Sequence, residues 1–67
     1  MAYVLHRGNN FVQKTTFSSL EEAHFHFIEH YKLQPEKVIE SIPNKLIVFQ
    51  AKHQGVSDVY RIEKTFF

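Results

Sequence analysis

The residues with the most potential for chemistry lie between Ser18 and Leu33, a segment that reads SSLEEAHFHFIEHYKL. Glu22, His26 and His30 are spaced i, i+4 and i+8, so on a helix they would share one face. Carboxylate and imidazole groups are ligands of Zn²⁺, and such a row could hold a surface Zn²⁺ or Ni²⁺ ion. The same row is also typical of a solvated polar face, and the chain simply has five histidines. We therefore expect no bound metal.

Residues His26 to His30 match H-x-x-E-H, the pattern of the inverted zinc metallopeptidases. Those enzymes need a third protein ligand from a second helix and a substrate cleft, for which 67 residues leave no room. The chain has no cysteine, its only aspartate is Asp58, and it has neither a nucleophile motif nor a glycine-rich phosphate loop. The sequence thus predicts a protein that is not an enzyme and uses no cofactor.

Residues 18–33 carry the start signal and the periodicity of a helix. Ser18 or Ser19 can be the N-cap, because each is followed three residues later by a glutamate, as in a capping box. Pro35 disfavours helical backbone at the residue before it, so the helix should end near residues 33–34. One narrow apolar stripe is formed by Leu20, His24, Phe27 and Tyr31, flanked by Ala23 and Ile28.

Two residues interrupt this amphipathic pattern. His24 falls in the apolar stripe, which predicts an imidazole at the edge of the core, hydrogen-bonded to a backbone carbonyl or a tyrosine hydroxyl. Its alternative role is a pH switch, because a desolvated histidine has a lowered pKa. Phe25 falls nearly opposite, beside Glu29 and Lys32, which predicts an exposed aromatic side chain or a contact with a partner.

The rest of the chain reads as strands and turns. Residues 35–42 are ambiguous between a strand, which we favour, and a short helix. The expected fold class is α+β, a single small domain over residues 1–67, with one helix on one face of a four- to five-stranded, mainly antiparallel sheet in the order ββαβββ. The other predicted strands are Ala2–Arg7, Phe11–Phe17, Lys45–His53 and Val56–Phe67, with turns at Gly8-Asn9-Asn10, Pro43-Asn44 and Gln54-Gly55. The predicted core is Leu20, Phe27, Tyr31, Ile47 or Val48, Phe49 and Ile62.

A single helix can cover only one side of such a sheet, yet residues 46–49 are apolar at every position. The far side should therefore be a homodimer interface or the binding site of another protein. A small chain without disulfides also gains stability from association. The predicted interface residues are Phe25, Leu46, Val48, Phe66 and Phe67.

Nucleic-acid binding is the alternative function. Cations on the predicted strands are interleaved with Phe11, Phe49 and Tyr60, an arrangement that can hold phosphates and stack bases. The net charge of only +1 speaks against it. The cations concerned are Arg7, Lys14, Lys52, Arg61 and Lys64.

Composition excludes several other classes. Hydrophobic residues make up 43% and aromatic residues 15% of the chain, which argues against disorder. No signal peptide and no apolar run long enough to cross a membrane are present, so we expect a cytoplasmic protein that does not bind membranes. The sequence predicts a non-enzymatic, homodimeric interaction module, a regulator or inhibitor of the kind that phage and mobile elements encode.

Overall fold

The computed structural model describes residues 1–66 and confirms the α+β class and the order ββαβββ. All five strands form one antiparallel sheet in the order β2-β1-β5-β4-β3. The segment after the helix is a strand, so the short-helix alternative is wrong. The elements are β1 (Ala2–Arg7), β2 (Asn10–Thr16), α1 (Leu20–Tyr31), β3 (Gln34–Ile42), β4 (Leu46–His53) and β5 (Val56–Thr65).

The sheet is built from a hairpin and a three-stranded meander. The β1–β2 hairpin and the β3–β4–β5 meander are joined where β1 pairs with β5. Helix α1 connects one edge strand, β2, to the other, β3, by crossing one side of the sheet. It packs on the three central strands β1, β5 and β4, while every residue of β3 is exposed.

Backbone conformation at two of the turns agrees with the residues found there. Gln54 and Gly55 have φ values of 52° and 81°, and a two-residue hairpin turn of type I′ needs both to be positive. Pro43 precedes Asn44, whose φ is 64°, and the Lys45 N–H donates to the Ile42 carbonyl at 3.0 Å. Proline followed by a residue with positive φ is typical of a type II turn. Both predicted turns are confirmed.

The core lies between α1 and the sheet. Phe27 and Ala23 face the sheet with no exposed surface, and Leu20 is 5% exposed. Tyr31 and Ile28 are only partly buried and pack against the edge of this cluster. Ile47, and not Val48, is the β4 residue in the core. The sheet contributes Tyr3, Leu5, Ile47, Phe49, Ala51, Tyr60 and Ile62.

The helix is shorter than predicted because both serines lie outside it. The Ser19 hydroxyl accepts a hydrogen bond from the Glu22 N–H at 3.1 Å, which identifies Ser19 as the N-cap. The Glu22 carboxylate accepts from the Ser18 N–H at 3.2 Å and from the Ser18 hydroxyl at 3.0 Å. The two serines therefore share the tasks that one residue performs in a standard capping box.

Helix α1 ends at Lys32, whose φ of 55° lies in the left-handed region. The Leu33 N–H donates to the Ile28 carbonyl at 3.0 Å, as in the Schellman motif that usually has glycine at the left-handed position. We expect Lys32→Gly to raise the free energy of unfolding by about 0.5–1 kcal/mol, since it removes the side-chain clash of this conformation. Urea unfolding measures the free energy of unfolding of the variant, and Lys32→Ala is the control. A glycine variant no more stable than the alanine variant would contradict the prediction.

A β-bulge makes part of the strand prediction wrong. The β1–β2 register slips between Leu5 and His6, so Val12 is an extra residue in β2 and Phe11 pairs with His6. Strict alternation predicts that Phe11 and Gln13 share a face, but the bulge places them on opposite faces. Phe66, predicted as part of the last strand, lies beyond the end of β5 and is 97% exposed.

Candidate interaction surface

The side of the sheet opposite α1, here called the open face, has no covering element within residues 1–66. Directly paired residues in an antiparallel sheet point to the same side. Val4 and Leu46 both pair with Glu63, and Val48 pairs with Arg61, so these five side chains share the open face. The prediction that residues 46–49 have apolar groups on both sides of the sheet is confirmed.

The apolar part of the open face surrounds the end of β5. Leu46 and Val48 are half-buried, Ile42 is 41% exposed, and the side chain of Phe66 stands almost wholly in solvent. Ile42, Leu46 and Phe66 line a shallow groove of about 370 Å³. The structure therefore gathers three of the predicted interface residues, Leu46, Val48 and Phe66, on one surface.

The two remaining interface residues lie elsewhere. Phe25 is 68% exposed on the outer side of α1, as its position opposite the apolar stripe predicts, and it cannot reach the open face. Phe67 lies outside the described residues.

A polar row crosses the centre of the open face. Arg61 Nε lies 3.6 Å from Glu63 Oε1, an ion pair beyond hydrogen-bonding distance. Arg61 Nε and the neighbouring His6 Nδ1 are inaccessible to solvent, and neither has a hydrogen-bond partner within residues 1–66. Buried polar atoms are rarely left unpaired, so these two atoms are an unsatisfied polar feature at the centre of the open face.

A hydrogen-bonded cluster borders the open face on the β3 side. Gln50 Nε2 donates to Glu36 Oε1 at 2.9 Å and to the Ser57 hydroxyl at 3.0 Å, and the Ser57 hydroxyl donates to Glu36 Oε1 at 2.5 Å. The hydrogen bonds from Ser57 and Gln50 lower the pKa of the Glu36 carboxyl. They also fix Glu36, which is the extra residue of a bulge in β3, over the neighbouring strands.

No known protein family, curated protein or solved structure matches this chain. The surface must therefore be interpreted from its own geometry. No helix within residues 1–66 is long and apolar enough to cross a membrane.

The three candidate metal ligands do not form a site. The Glu22 carboxylate is occupied by Ser18, and the rings of His26 and His30 stack with centroids 5.5 Å apart and planes only 10° from parallel. The His26 ring also packs on Phe17, with centroids 5.0 Å apart. Within residues 1–66, no three histidine or acidic side chains are close enough to hold one ion.

The cations of the nucleic-acid alternative are divided between the two sides of the sheet. Lys14 pairs with Val4, and Lys52 and Arg61 are also on the open face. Arg7 pairs with Tyr60, and Lys64 with Tyr3, on the side that α1 covers. The aromatic residues Phe49 and Tyr60 are 1% and 3% exposed, so they cannot stack on bases.

His24 lies at the edge of the core, as its place in the stripe predicts. Its ring packs on Phe49 with centroids 4.9 Å apart, and burial lowers the pKa of the imidazole below its usual value of 6.5. The predicted hydrogen bond to a carbonyl or a tyrosine is wrong, because no such bond to His24 exists within residues 1–66.

We expect this half-buried imidazole to make stability depend on pH. The folded protein binds the His24 proton less readily than the unfolded chain, so unfolding takes up a proton below about pH 6.5. Stability should fall as the pH drops from 7 to 5, and His24→Leu should reduce that fall. Urea unfolding at several pH values measures it. An unchanged slope in the variant would show that other groups cause the dependence.

Two residues of this surface have no direct signal in the sequence. Ile42 appeared only as part of the ambiguous segment, and the position of His6 beside Arg61 depends on the pairing of β1 with β5. Strand alternation could have placed Ile42 on the same side as Leu46 once the intervening turn was recognised.

Proposed function

We propose that this protein is a small, non-enzymatic regulatory module that acts through protein contacts, and that its open face is the interface of a homodimer. The observation that supports this most is the uncovered side of the sheet, where Leu46 and Val48 remain half-exposed and Phe66 projects into solvent. Two such faces would pack about 10 Å apart, as in a β-sandwich.

The charges of the open face suit a second copy of the same face. Strand pairing and the Glu36 cluster place four cations and three carboxylates there, so no single sign dominates. A twofold axis that passes beside the Arg61–Glu63 pair would bring Arg61 and Glu63 of one copy near Glu63 and Arg61 of the other, where opposite charges attract. The charged residues are Lys14, Lys37, Lys52, Arg61, Glu36, Glu40 and Glu63.

Size supplies a second reason for association. A domain of 67 residues buries a smaller share of its surface than a larger one, and this chain has no cysteine for a disulfide. Burying Leu46, Val48 and Phe66 between two copies would add apolar contacts that the single core under α1 does not provide.

Light scattering at high concentration tests the dimer, and we expect close to twice the chain mass of 8.0 kDa. Leu46→Asp should give a monomer, because it places a carboxylate in the apolar part of the interface. Phe25→Asp is the matched control: it adds the same charge to the outer side of α1 and should leave the dimer intact. A monomeric wild-type protein would reject the dimer. If Phe25→Asp disrupts the dimer and Leu46→Asp does not, the interface lies on α1 and not on the open face.

A further inference from the structure

A cleft lies on the helix-covered side of the sheet, away from the open face. It sits where the β1–β2 and β4–β5 hairpins turn, beside the C-terminal end of α1. Two adjoining hollows of about 520 Å³ and 380 Å³ share Arg7, Asn10 and His53 as lining residues. Both hollows are open to solvent, so a small molecule bound there would be only partly buried.

One half of the cleft is apolar. Val12 of the β2 bulge is partly exposed and forms one wall, while Leu5 and Leu33 lie buried beneath the floor. Tyr31, at the end of α1, forms another wall. Its hydroxyl donates a hydrogen bond to Gln13 Oε1, which fixes the position of the ring.

The other half carries one positive and one negative side chain. Arg7 pairs with Tyr60 across β1 and β5, so Asp58, two residues before Tyr60, is the diagonal neighbour of Arg7. Such neighbours have Cβ atoms about 7–8 Å apart. Within residues 1–66, neither Arg7 nor Asp58 belongs to an ion pair.

The charges of Arg7 and Asp58 both affect the side chain of Tyr60. Its hydroxyl interacts with Arg7, while burial and the negative charge of Asp58 raise the pKa of the phenol. The guanidinium and the carboxylate thus both lie close enough to Tyr60 to affect its hydroxyl, and no ion pair joins them within residues 1–66.

We propose that this cleft binds a small zwitterion with an apolar side chain, the chemistry of a free apolar α-amino acid. The ligand carboxylate would pair with the Arg7 guanidinium and the ligand ammonium with the Asp58 carboxylate. The ligand side chain would lie against Val12 and Tyr31, which are partly exposed. An anion alone would be repelled by Asp58, and a cation alone by Arg7, whereas a zwitterion satisfies both. The proposal is independent of the dimer, because the open face is on the other side of the sheet.

Titration of the ¹⁵N-labelled protein with L-phenylalanine, followed by NMR, tests the proposal. We expect saturable shifts of the amides of residues 7–10 and 53–58. Two analogues separate the charges: 3-phenylpropionate has no ammonium group, and phenethylamine has no carboxylate. Each should bind at least about tenfold more weakly than L-phenylalanine, because each lacks one charge-assisted hydrogen bond.

Variants assign each contact to a residue. Arg7→Gln should weaken the binding of L-phenylalanine at least about tenfold and should not weaken the binding of phenethylamine. Asp58→Asn should weaken the binding of L-phenylalanine to the same extent and should not weaken the binding of 3-phenylpropionate. Arg7→Lys replaces the glutamine variant if that variant does not fold, and it should bind L-phenylalanine more weakly than the wild type does, because lysine keeps the charge and loses the bidentate geometry. Arg61→Gln, which changes an arginine on the open face, is the matched control and should bind normally.

Three outcomes would overturn the proposal. The first is the absence of saturable shifts at about 20 mM L-phenylalanine. The second is equal binding of L-phenylalanine and one of its singly charged analogues, which would indicate a simple ion site. The third is normal binding by both Arg7→Gln and Asp58→Asn.

Discussion

Phe27→Ala is expected to lower the free energy of unfolding by about 3–5 kcal/mol, the usual cost of removing a buried phenylalanine ring. Phe27 has no exposed surface and is among the largest fully buried side chains. Its ring meets Phe17 edge-on with centroids 5.5 Å apart and also contacts Tyr31. The substitution therefore removes the largest fully buried side chain of α1 and leaves a cavity between the helix and the sheet. Because small domains have only about 5–15 kcal/mol of stability, a large share would be lost.

Phe25→Ala provides the matched control on the same helix. It removes the same ring two residues away, but from a side chain that is 68% exposed. We expect a change within about 0.5 kcal/mol, as for most surface substitutions. Urea unfolding followed by circular dichroism compares the two. Similar losses in both variants would contradict the assignment of the helix face.

The elements predicted correctly from the sequence are those specified by local signals. Helix α1 was recognisable because the serine–glutamate spacing and the apolar stripe are properties of a few consecutive residues. The turn at Gln54-Gly55 was recognisable for the same reason, because glycine readily adopts positive φ. Residues 35–42 were harder to assign, since Val38, Ile39 and Ile42 fit helical spacing and Val38 and Ile42 also fit strand alternation.

Features that depend on strand register could not be read from the sequence. The bulge at Val12 moves Phe11 to the opposite side from the one that alternation predicts, and a one-residue slip always has this effect. The core prediction for Phe49 is confirmed, but the alternative nucleic-acid surface, which includes Phe49 and Tyr60, is wrong for both, because the sequence does not say which side of the sheet α1 covers.

The same reasoning explains which part of the candidate sites was predictable. Leu46 and Val48 lie in a run that is apolar on both sides of the sheet, and the sequence predicts only one helix. Because one helix covers one side, an exposed apolar face on the other side was predictable. The cleft brings together Arg7 from the first strand and Asp58 from the last, through the pairing of β1 with β5. That pairing joins opposite ends of the chain, and no pattern within either strand specifies it.

Ile62→Ala should have the second large effect on stability. Ile62 has no exposed surface and lies at the middle of the sheet, paired with Leu5 on one side and Ile47 on the other, under α1. Its truncation leaves a cavity in the core, and we expect a loss of about 2–5 kcal/mol. The loss should be the same at every protein concentration, because the core lies within one subunit.

Val48→Ala is the matched change on the opposite side of the sheet. Val48 is half-buried on the open face, so in an isolated subunit its truncation should cost less than about 1 kcal/mol. If two open faces pack together, wild-type stability rises with protein concentration by mass action, and this rise should shrink in Val48→Ala but persist in Ile62→Ala. Thermal unfolding over a hundredfold range of concentration separates the two effects. Equal losses in Val48→Ala and Ile62→Ala at every concentration would contradict the assignment of Val48 to an exposed face of the sheet.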